Sequence, residues 1–283
     1  MAERPVLVLA ATGGQGRAVT AALLDRGAEV RALVRDPAGA GAQALSRRGV
    51  NVVPGFLDDA DSLTRAMRGV AGVFALTTPF ESGTDAEVAQ GRAILAAVRA
   101  ADVPHLVFSS VAGAARPTGV PHFDSKAIVE SEVRASGVPY TILGPTYFFD
   151  NALGGQDRIL AGSLDLPLPS DRPLQQLARA DHGAFAAEVL LHAGKYAGRR
   201  IELAGDAPTP AEMSRSLSDA VGLEVRHTRY PVESIGNPDM HAMWEFLNGP
   251  GYQVDIPALH AAHPEIAWTS FGAWARQVFA AGS

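Results

Sequence analysis

The sequence predicts an α/β protein, built on a doubly wound parallel Rossmann-like sheet with a smaller irregular C-terminal α/β lobe. In the first half of the 283 residues, short apolar runs alternate with amphipathic segments, as in βαβ units. The apolar runs are rich in branched residues, which suits strands covered on both faces. Glycine follows four of the amphipathic segments, where helices commonly end.

The first half is predicted to contain six strands with five helices between them. The strands cover Val6–Leu9, Glu29–Val34, Val50–Val53, Gly72–Leu76, His105–Ser109 and Tyr140–Leu143. The helices cover Gln15–Arg26, Ala38–Arg48, Ser62–Met67, Asp85–Ala101 and Asp124–Ser136. We therefore expect residues 1–150 to form a domain that binds NAD(P).

The alternation ends after Leu143, and residues 154–173 are rich in Gly, Pro and Leu, which predicts a loop with short elements. One later helix starts with a capping box, in which Thr209 is followed by Pro210 and Glu212. Other predicted elements are His182–His192, Arg200–Leu203, Val225–Tyr230, Met240–Leu247 and Ser270–Ala280. We expect residues 151–283 to form a substrate-binding lobe, with residues 180–204 packing back on the sheet.

Composition and charge disfavour several classes of protein. The chain has 24 Lys and Arg against 30 Asp and Glu, and this net charge of −6 argues against direct nucleic-acid binding. No apolar run reaches the ~20 residues of a membrane span, and the N-terminus has no signal-peptide pattern. Cysteine is absent, which fits a reducing compartment. We expect a cytoplasmic monomer or homodimer without a membrane partner.

The first predicted strand leads into a turn of small residues and then into a helix. Ala10, Gly13 and Gly16 have the spacing of a G-x-x-G-x-x-G motif, in which Ala10 replaces the first glycine. Small residues let the backbone approach a pyrophosphate, and the helix N-terminus offers free N–H donors. An ordinary glycine-rich turn is the alternative, but the position between first strand and helix favours a dinucleotide. The predicted contacts are Ala10, Thr12, Gly13, Gly14, Gln15, Gly16 and Arg17.

The end of the second predicted strand indicates which dinucleotide is preferred. NAD-binding proteins usually have Asp or Glu about 20 residues after the glycines, whereas this chain has Arg35, 19 residues beyond Gly16. A guanidinium suits the 2′-phosphate of NADP, and Arg17 is a candidate second cation. We therefore expect NADP(H) to be preferred over NAD(H). Asp36 is the counter-argument, since it would either bind ribose hydroxyls or pair with Arg35.

Two further strand ends lie where the adenine and ribose–phosphate parts of a dinucleotide would pass. Leu57 follows strand three, and Leu76, Thr77 and Thr78 follow strand four. Asp58 and Asp59 also follow strand three, and we interpret them as helix-start residues.

The candidate reaction centre combines strand five with the helix after it. Strand five ends in Ser109 and Ser110, and His122 and Lys126 follow, four residues apart on one helical face. A lysine there is suited to hold the nicotinamide ribose and to favour loss of a proton by a neighbour. His122 is the candidate proton donor because histidine titrates near neutral pH. A solvated helix start is the competing interpretation of His122.

These segments together resemble the NmrA-like family of atypical short-chain dehydrogenase/reductases. The resemblance spans nearly the whole chain and rests on Val6–Gly16, Arg35, Ser109–Ser110, His122, Lys126, Pro145–Asn151, Gly251–Tyr252, His263–Glu265 and Trp274. Family activities include quinone and triphenylmethane-dye reductases, plant phenylpropanoid reductases, and regulators that bind NADP(H) without chemistry.

The resemblance implies dinucleotide contacts at Thr12, Gly13, Gln15, Gly16, Arg35, Lys126 and the loop residues Pro145, Thr146, Tyr147 and Phe148. We also predict a dinucleotide contact at Ser109, because it lies at the end of strand five. Three positions depart from the family pattern, the first being Ala10 in place of the first glycine. His122 replaces the active-site Tyr of the wider superfamily, and Phe56 stands where many relatives have an Asp near the adenine.

Two functions fit these features. The first is an NADPH-dependent reductase that passes hydride to a carbonyl, quinone, imine or conjugated C=C of a small apolar or aromatic substrate. Lys126, His122 and Ser110 would be catalytic, and the substrate would contact His122, Tyr147, Phe148, Met240 and Trp244. The second is a redox sensor that binds NADP(H) without turnover. A metal hydrolase is rejected because His260 and His263 lack a third ligand at suitable spacing, so no metal site is expected.

Overall fold

The predicted Rossmann-like sheet is confirmed in the computed structural model, which describes residues 4–280. The strands of the first half are β1 Val6–Val8, β2 Val30–Val34, β3 Asn51–Pro54, β4 Gly72–Leu76, β5 Leu106–Ser109 and β6 Tyr140–Pro145. Their helices are α1 Gly14–Leu24, α2 Ala40–Arg47, α3 Ala60–Met67, α4 Gly83–Ala100 and α5 Pro121–Ala135. Each predicted element is present, with ends displaced by three residues at most.

The remaining elements are shorter and less regular. The strands are β7 Tyr147–Phe148, β8 Ser163–Asp165, β9 Gln176–Leu177, β10 Arg199–Leu203 and β11 Arg226–Thr228. The helices are α6 Gln156–Leu160, α7 Arg179–Leu191, α8 Ala193–Tyr196, α9 Pro210–Val221, α10 Pro238–Asn248, α11 Ile256–Ala262 and α12 Phe271–Phe279. The predicted capping box is confirmed, since Thr209 and Glu212 bond reciprocally at the start of α9.

The central sheet has seven strands in the order β10-β6-β5-β4-β1-β2-β3. The five pairings from β6 to β3 are parallel, so these strands end at one edge. β10 therefore adds a seventh strand beyond the six predicted in the first half. The order reverses beside β1, and open α/β sheets bind ligands at such a point.

The sheet is covered on both faces because alternate residues of each strand point to opposite sides. Val73 and Ala75 of β4 pack in an apolar cluster with residues of α3, α4 and α5. On the other face, Phe74 contacts His182 of α7 at 5.8 Å between ring centroids. α7 also touches α1, since a Cβ on Gly183 would lie 2.4 Å from the Ala18 backbone.

The chain divides into two compact units. Unit 1 holds the residues up to Ala115, His122–Gly144 and His182–Ile201, and unit 2 holds Arg116–Pro121, Pro145–Asp181 and the residues from Glu202 onward. Unit 1 contains β1 to β5 and the glycine-rich turn. Unit 2 contains the small pairs β7–β9 and β8–β11. Across the described residues, every helix is too short or too polar to cross a membrane.

Candidate active site

The turn between β1 and α1 brings the backbone of three small residues into close contact. The amide of Gly13 donates to the carbonyl of Ala10 at 2.9 Å. A Cβ on Gly16 would lie 2.3 Å from that same carbonyl oxygen. Ala10 itself has a φ of 49°, in the left-handed region that glycine adopts most easily. The turn therefore has the glycine-type geometry that the spacing predicts, with alanine held at its first position.

The N-terminus of α1 is open for an anionic ligand. Gly13 and Gly14 are exposed, and no side chain caps the helix. No acidic residue stands in the first turn, and Arg17 is exposed just after it. The first N–H groups of a helix have no partner within it and carry a partial positive charge. These features fit a pyrophosphate group, which needs close backbone approach and several N–H donors.

Two consecutive hydrogen bonds hold the side chain of Gln15 in place. Ser109 donates through Oγ to Oε1 of Gln15 at 2.7 Å, and Nε2 of His182 lies 3.1 Å from the same Oγ. Burial lowers the pKa of His182 to about 3, so its imidazole is neutral at pH 7. Because the Ser109 hydroxyl proton is directed to Gln15, Nε2 of His182 carries the ring proton and donates. These hydrogen bonds thus connect α7, β5 and α1.

Lys126 is held by a buried carboxylate that sequence reasoning missed. Its Nζ donates to Oε1 of Glu87 at 2.8 Å and to the carbonyl of Thr77 at 3.1 Å. The lysine side chain is 11% exposed and that of Glu87 is 0% exposed. Thr77 and Ser125 also donate to the carboxylate, at 2.9 and 2.5 Å. A buried charge needs such compensation, and here both ions receive it.

Thr77 directly follows β4, the neighbour of β1, so the ammonium lies at the edge where the glycine turn also lies. An ammonium has three N–H donors. Two are directed to Glu87 and Thr77 within the part of the chain that the structure describes. The third donor is therefore available for a ligand.

His122 is buried, at 6% exposure, so the interpretation as a solvated helix start is wrong. It belongs to the first turn of α5, and its ring centroid lies 5.8 Å from that of Phe80. Phe80 is 70% exposed and belongs to the β4–α4 loop, residues 77–82. This loop therefore contacts two of the three predicted catalytic residues, Lys126 through Thr77 and His122 through Phe80.

Ser110 is buried directly after β5. Its amide donates to the carbonyl of Leu143 at 2.7 Å. Its Oγ has no hydrogen-bond partner among residues 4–280. A buried hydroxyl without a partner is unfavourable and in native proteins generally calls for an explanation. Ser110 thus has an unused hydroxyl, whereas the hydroxyl of Ser109 is occupied by Gln15 and His182.

At the end of β2, the structure contradicts one of the two interpretations of Asp36, namely that it pairs with Arg35. Arg35 pairs with Glu81 of the β4–α4 loop at 3.0 Å and not with Asp36. Asp36 accepts the amide of Ala38 at 2.9 Å.

After β3, Asp59 caps α3 by accepting two amides, which lowers its pKa and confirms the helix-start interpretation. Phe56 is half exposed, and Leu57 and Leu76 are partly buried.

Unit 2 contains the loop residues and the aromatic residues predicted to contact ligands. Thr146 is buried and donates through its amide and hydroxyl to the carbonyl of Leu203. The rings of Tyr147 and Trp244 lie 5.6 Å apart, so the structure brings these two residues together. Burial raises the pKa of Tyr147 to about 12, which keeps its phenol protonated. Pro145 ends β6, Met240 lies on α10, and the Arg179 guanidinium lies 5.7 Å from the Phe148 ring.

Glu87 and His182 are thus the two residues that sequence reasoning missed. Glu87 did leave a signal, because it shares the buried face of α4 with Gly91, Ile94 and Val98. A carboxylate on an apolar stripe requires a partner. His182 left no comparable signal, since a lone histidine on a buried helix is common in protein cores. Among the residues described, no three His, Asp or Glu side chains form a metal-binding group.

Comparisons with known proteins identify the family and the fold of this chain. The NmrA-like family model matches residues 2–262. A (4-alkanoyl-5-oxo-2,5-dihydrofuran-3-yl)methyl phosphate reductase of Streptomyces griseus is 34% identical, over 81% of this chain and 78% of its own. An NADPH-dependent quinone oxidoreductase of Escherichia coli, solved with NADPH, has a TM-score of 0.82 at 26% identity and covers 97% of this chain and 99% of its own. Nmra, a negative transcriptional regulator solved with NAD, shares the fold with a TM-score of 0.79 at 20% identity, over 100% of this chain and 97% of its own.

Proposed function

The chain belongs to the NmrA-like family, and on that premise we propose that it is an NADPH-dependent reductase. It transfers hydride to a carbonyl, quinone, imine or conjugated C=C group of a small apolar or aromatic substrate. The reductase from Streptomyces griseus acts, by its name, on an unsaturated lactone that carries a methyl phosphate group. The solved relative from Escherichia coli is a quinone oxidoreductase with bound NADPH. Both relatives support the reduction of a small molecule, and the second supports a nicotinamide as its source of hydride.

The observation that carries the proposal is the anchored ammonium of Lys126. Glu87 and Thr77 hold Nζ at the carboxyl edge of the sheet, beside the strand that leads into the glycine turn. Its third N–H donor is suited to a ribose hydroxyl of a dinucleotide that lies along this edge. A surface lysine without these contacts would have to be ordered at the moment of binding, at an entropic cost.

The other residues of unit 1 complete the dinucleotide site. A nicotinamide supplies the hydride when bound, and the protein supplies position and a proton. The backbone from Ala10 to Gly16 receives the pyrophosphate, and Gln15 is fixed there by Ser109. Thr12, Leu57, Leu76 and Thr78 line the path of the nucleotide. Arg35, with Arg17 as second cation, binds the 2′-phosphate and sets the preference for NADP(H) over NAD(H).

The proton comes from His122 or from a water that it orders. His122 shares the first turns of α5 with Lys126 and is shielded from solvent by its burial. We assign Ser110 to the reacting groups because its buried hydroxyl has no protein partner in the described chain. Positioned groups of this kind accelerate proton transfer by about 10²–10⁴-fold.

We assign substrate selection to aromatic and apolar residues of unit 2. Tyr147, Phe148, Met240 and Trp244 offer apolar surface. The phenol of Tyr147 is protonated at neutral pH, and burial raises its pKa further, to about 12. Flat aromatic substrates suit such a set, because ring faces pack well against aromatic side chains.

The experiment measures NADPH binding and NADPH oxidation in parallel on the purified protein. The acceptor panel contains quinones, aryl ketones, enones and an unsaturated lactone. We expect saturable NADPH binding and oxidation that depends on at least one acceptor. Tight binding with no oxidation across the panel would contradict the reductase and favour the alternative, a sensor that binds NADP(H) without turnover.

A further inference from the structure

Arg35, the residue we assign to the 2′-phosphate, already has an anionic partner. Its Nη1 donates to Oε2 of Glu81 at 3.0 Å, and the two side chains are 70% and 62% exposed. Glu81 lies in the β4–α4 loop, 46 residues further along the chain. The pair is not a local helix contact, so the fold itself brings the two side chains together.

The strand order places this pair at the nucleotide edge. β4 and β2 flank β1, and all three strands are parallel. Arg35 directly follows β2, and Glu81 belongs to the loop that follows β4. The ion pair therefore joins the two sides of the strand that leads into the glycine turn. A dinucleotide bound at that turn has its adenine-side ribose at the end of β2, next to this pair.

A carboxylate at this position opposes a phosphate in two ways. It occupies one N–H of the guanidinium fork that would otherwise bind phosphate in a bidentate manner. It also places a negative charge beside a group that carries about −1.5 to −2 charges at pH 7. Asp36 does not take this role, because its carboxylate accepts the amide of Ala38. Glu81 does not oppose a ribose without a phosphate, since a carboxylate accepts hydrogen bonds from ribose hydroxyls.

We propose that Glu81 limits the preference for NADPH by competing with its 2′-phosphate for Arg35. The inference rests on the proposed function, because it requires a dinucleotide at this edge. In this arrangement Arg35 favours NADPH and Glu81 weakens that preference. Loss of Glu81 therefore strengthens discrimination for the phosphorylated cofactor.

The test compares two fragments that report on the 2′-phosphate without any turnover. Binding of adenosine 2′,5′-bisphosphate and of AMP is measured by calorimetry on the wild-type protein and on Glu81→Gln. We expect Glu81→Gln to bind the bisphosphate about fivefold more tightly, as expected for removing one exposed charge near the site. AMP affinity should stay unchanged. The matched control is Glu224→Gln, which removes the carboxylate of another exposed pair, with Arg226, and should change neither affinity.

A second variant separates competition from simple repulsion. In an Arg35→Gln background, Glu81→Gln should have a clearly smaller effect on the bisphosphate, because there is no guanidinium left to compete for and only the charge repulsion remains. An equal gain in both backgrounds, or no gain in the wild-type background, overturns the inference. If wild-type protein binds neither fragment nor NADPH, the proposed function fails and the inference fails with it. If it binds NADPH and Glu81→Gln changes nothing, the inference alone fails.

Discussion

Ala10 occupies a backbone conformation that costs an alanine free energy. Its φ of 49° lies in the left-handed region, which costs a residue with a Cβ about 1 kcal/mol relative to glycine. We expect Ala10→Gly to raise the free energy of unfolding by up to about 1 kcal/mol, measured by urea unfolding. The matched control is Ala21→Gly within α1, which should lower it by about 1 kcal/mol. Unchanged or lower stability for Ala10→Gly would contradict this account of the turn.

The buried pair of Glu87 and Lys126 gives a prediction for a single substitution. Glu87→Gln leaves the buried ammonium without its counter-charge, so we expect a loss of about 3 kcal/mol in the free energy of unfolding. A displaced ammonium should also lower kcat/KM by about tenfold or more. Glu132→Gln breaks the more exposed pair with Arg92 and should cost less than about 1 kcal/mol.

The double variant Glu87→Gln with Lys126→Met separates stability from function. It removes both charges, so its stability should exceed that of Lys126→Met alone. Activity should remain lost, because the ammonium is absent. Recovered activity in the double variant would show that the lysine is not needed for turnover.

The sequence predicted Lys126 but could not predict its partner. Lys126 could be predicted as a site residue because it lies four residues after His122, and this spacing places both residues on one face of a helix. Glu87 lies 39 residues earlier, on a different helix, and the contact exists only once α4 and α5 pack together. The same reason applies to Glu81 and Arg35, which are joined by the strand order and not by spacing.

At the scale of elements, the glycine turn depends on one close backbone contact. A Cβ at Gly16 would lie 2.3 Å from the carbonyl oxygen of Ala10, and both groups are backbone, so neither can yield easily. We expect Gly16→Ala to lower the free energy of unfolding by about 1–3 kcal/mol and to weaken NADPH binding. Gly194→Ala is the matched control, since a Cβ there meets nothing within 4 Å. Equal NADPH affinity in both variants would contradict the role of this turn.

Element prediction succeeded where hydrophobic periodicity and capping signals agreed. The predicted limits of β4 match the structure, and the glycines after four helices have φ between 72° and 82°. Short elements such as β7 and β9 were missed, because two residues show no periodicity. The sequence predicts the strand Arg200–Leu203 in a segment that packs back on the sheet. The place of this strand, β10, at the edge of the sheet follows from tertiary packing, which local pattern does not encode.

At the scale of the whole molecule, buried histidines predict acid sensitivity. Burial lowers the pKa of His182 to about 3 and also lowers that of His105. An unfolded chain with ordinary histidine pKa values binds protons first as pH falls below about 6.5. The contribution of His182 to stability is therefore complete above pH 6.5 and declines towards pH 3, by up to about 1.4 kcal/mol per pH unit.

Urea unfolding between about pH 7.5 and pH 5 measures this slope. His182→Gln keeps a donor for Ser109 but does not titrate, so its stability should depend less on pH than that of the wild-type protein. His105 still titrates in that variant, so we expect a reduced slope and not a flat curve. Equal slopes for the two proteins would contradict the neutral state assigned to His182.

We propose that this chain transfers hydride from a nicotinamide held by Lys126. This claim is tested most directly with NADPH that carries two deuterium atoms on the reactive nicotinamide carbon, so that transfer from either face is detected, and with an enone or aryl ketone acceptor. Mass spectrometry of the product should find deuterium on carbon with the wild-type protein. It should find none with Lys126→Met/Glu87→Gln, although that variant still binds NADPH. Saturable NADPH binding by the wild-type protein without deuterium in any product would contradict the claim.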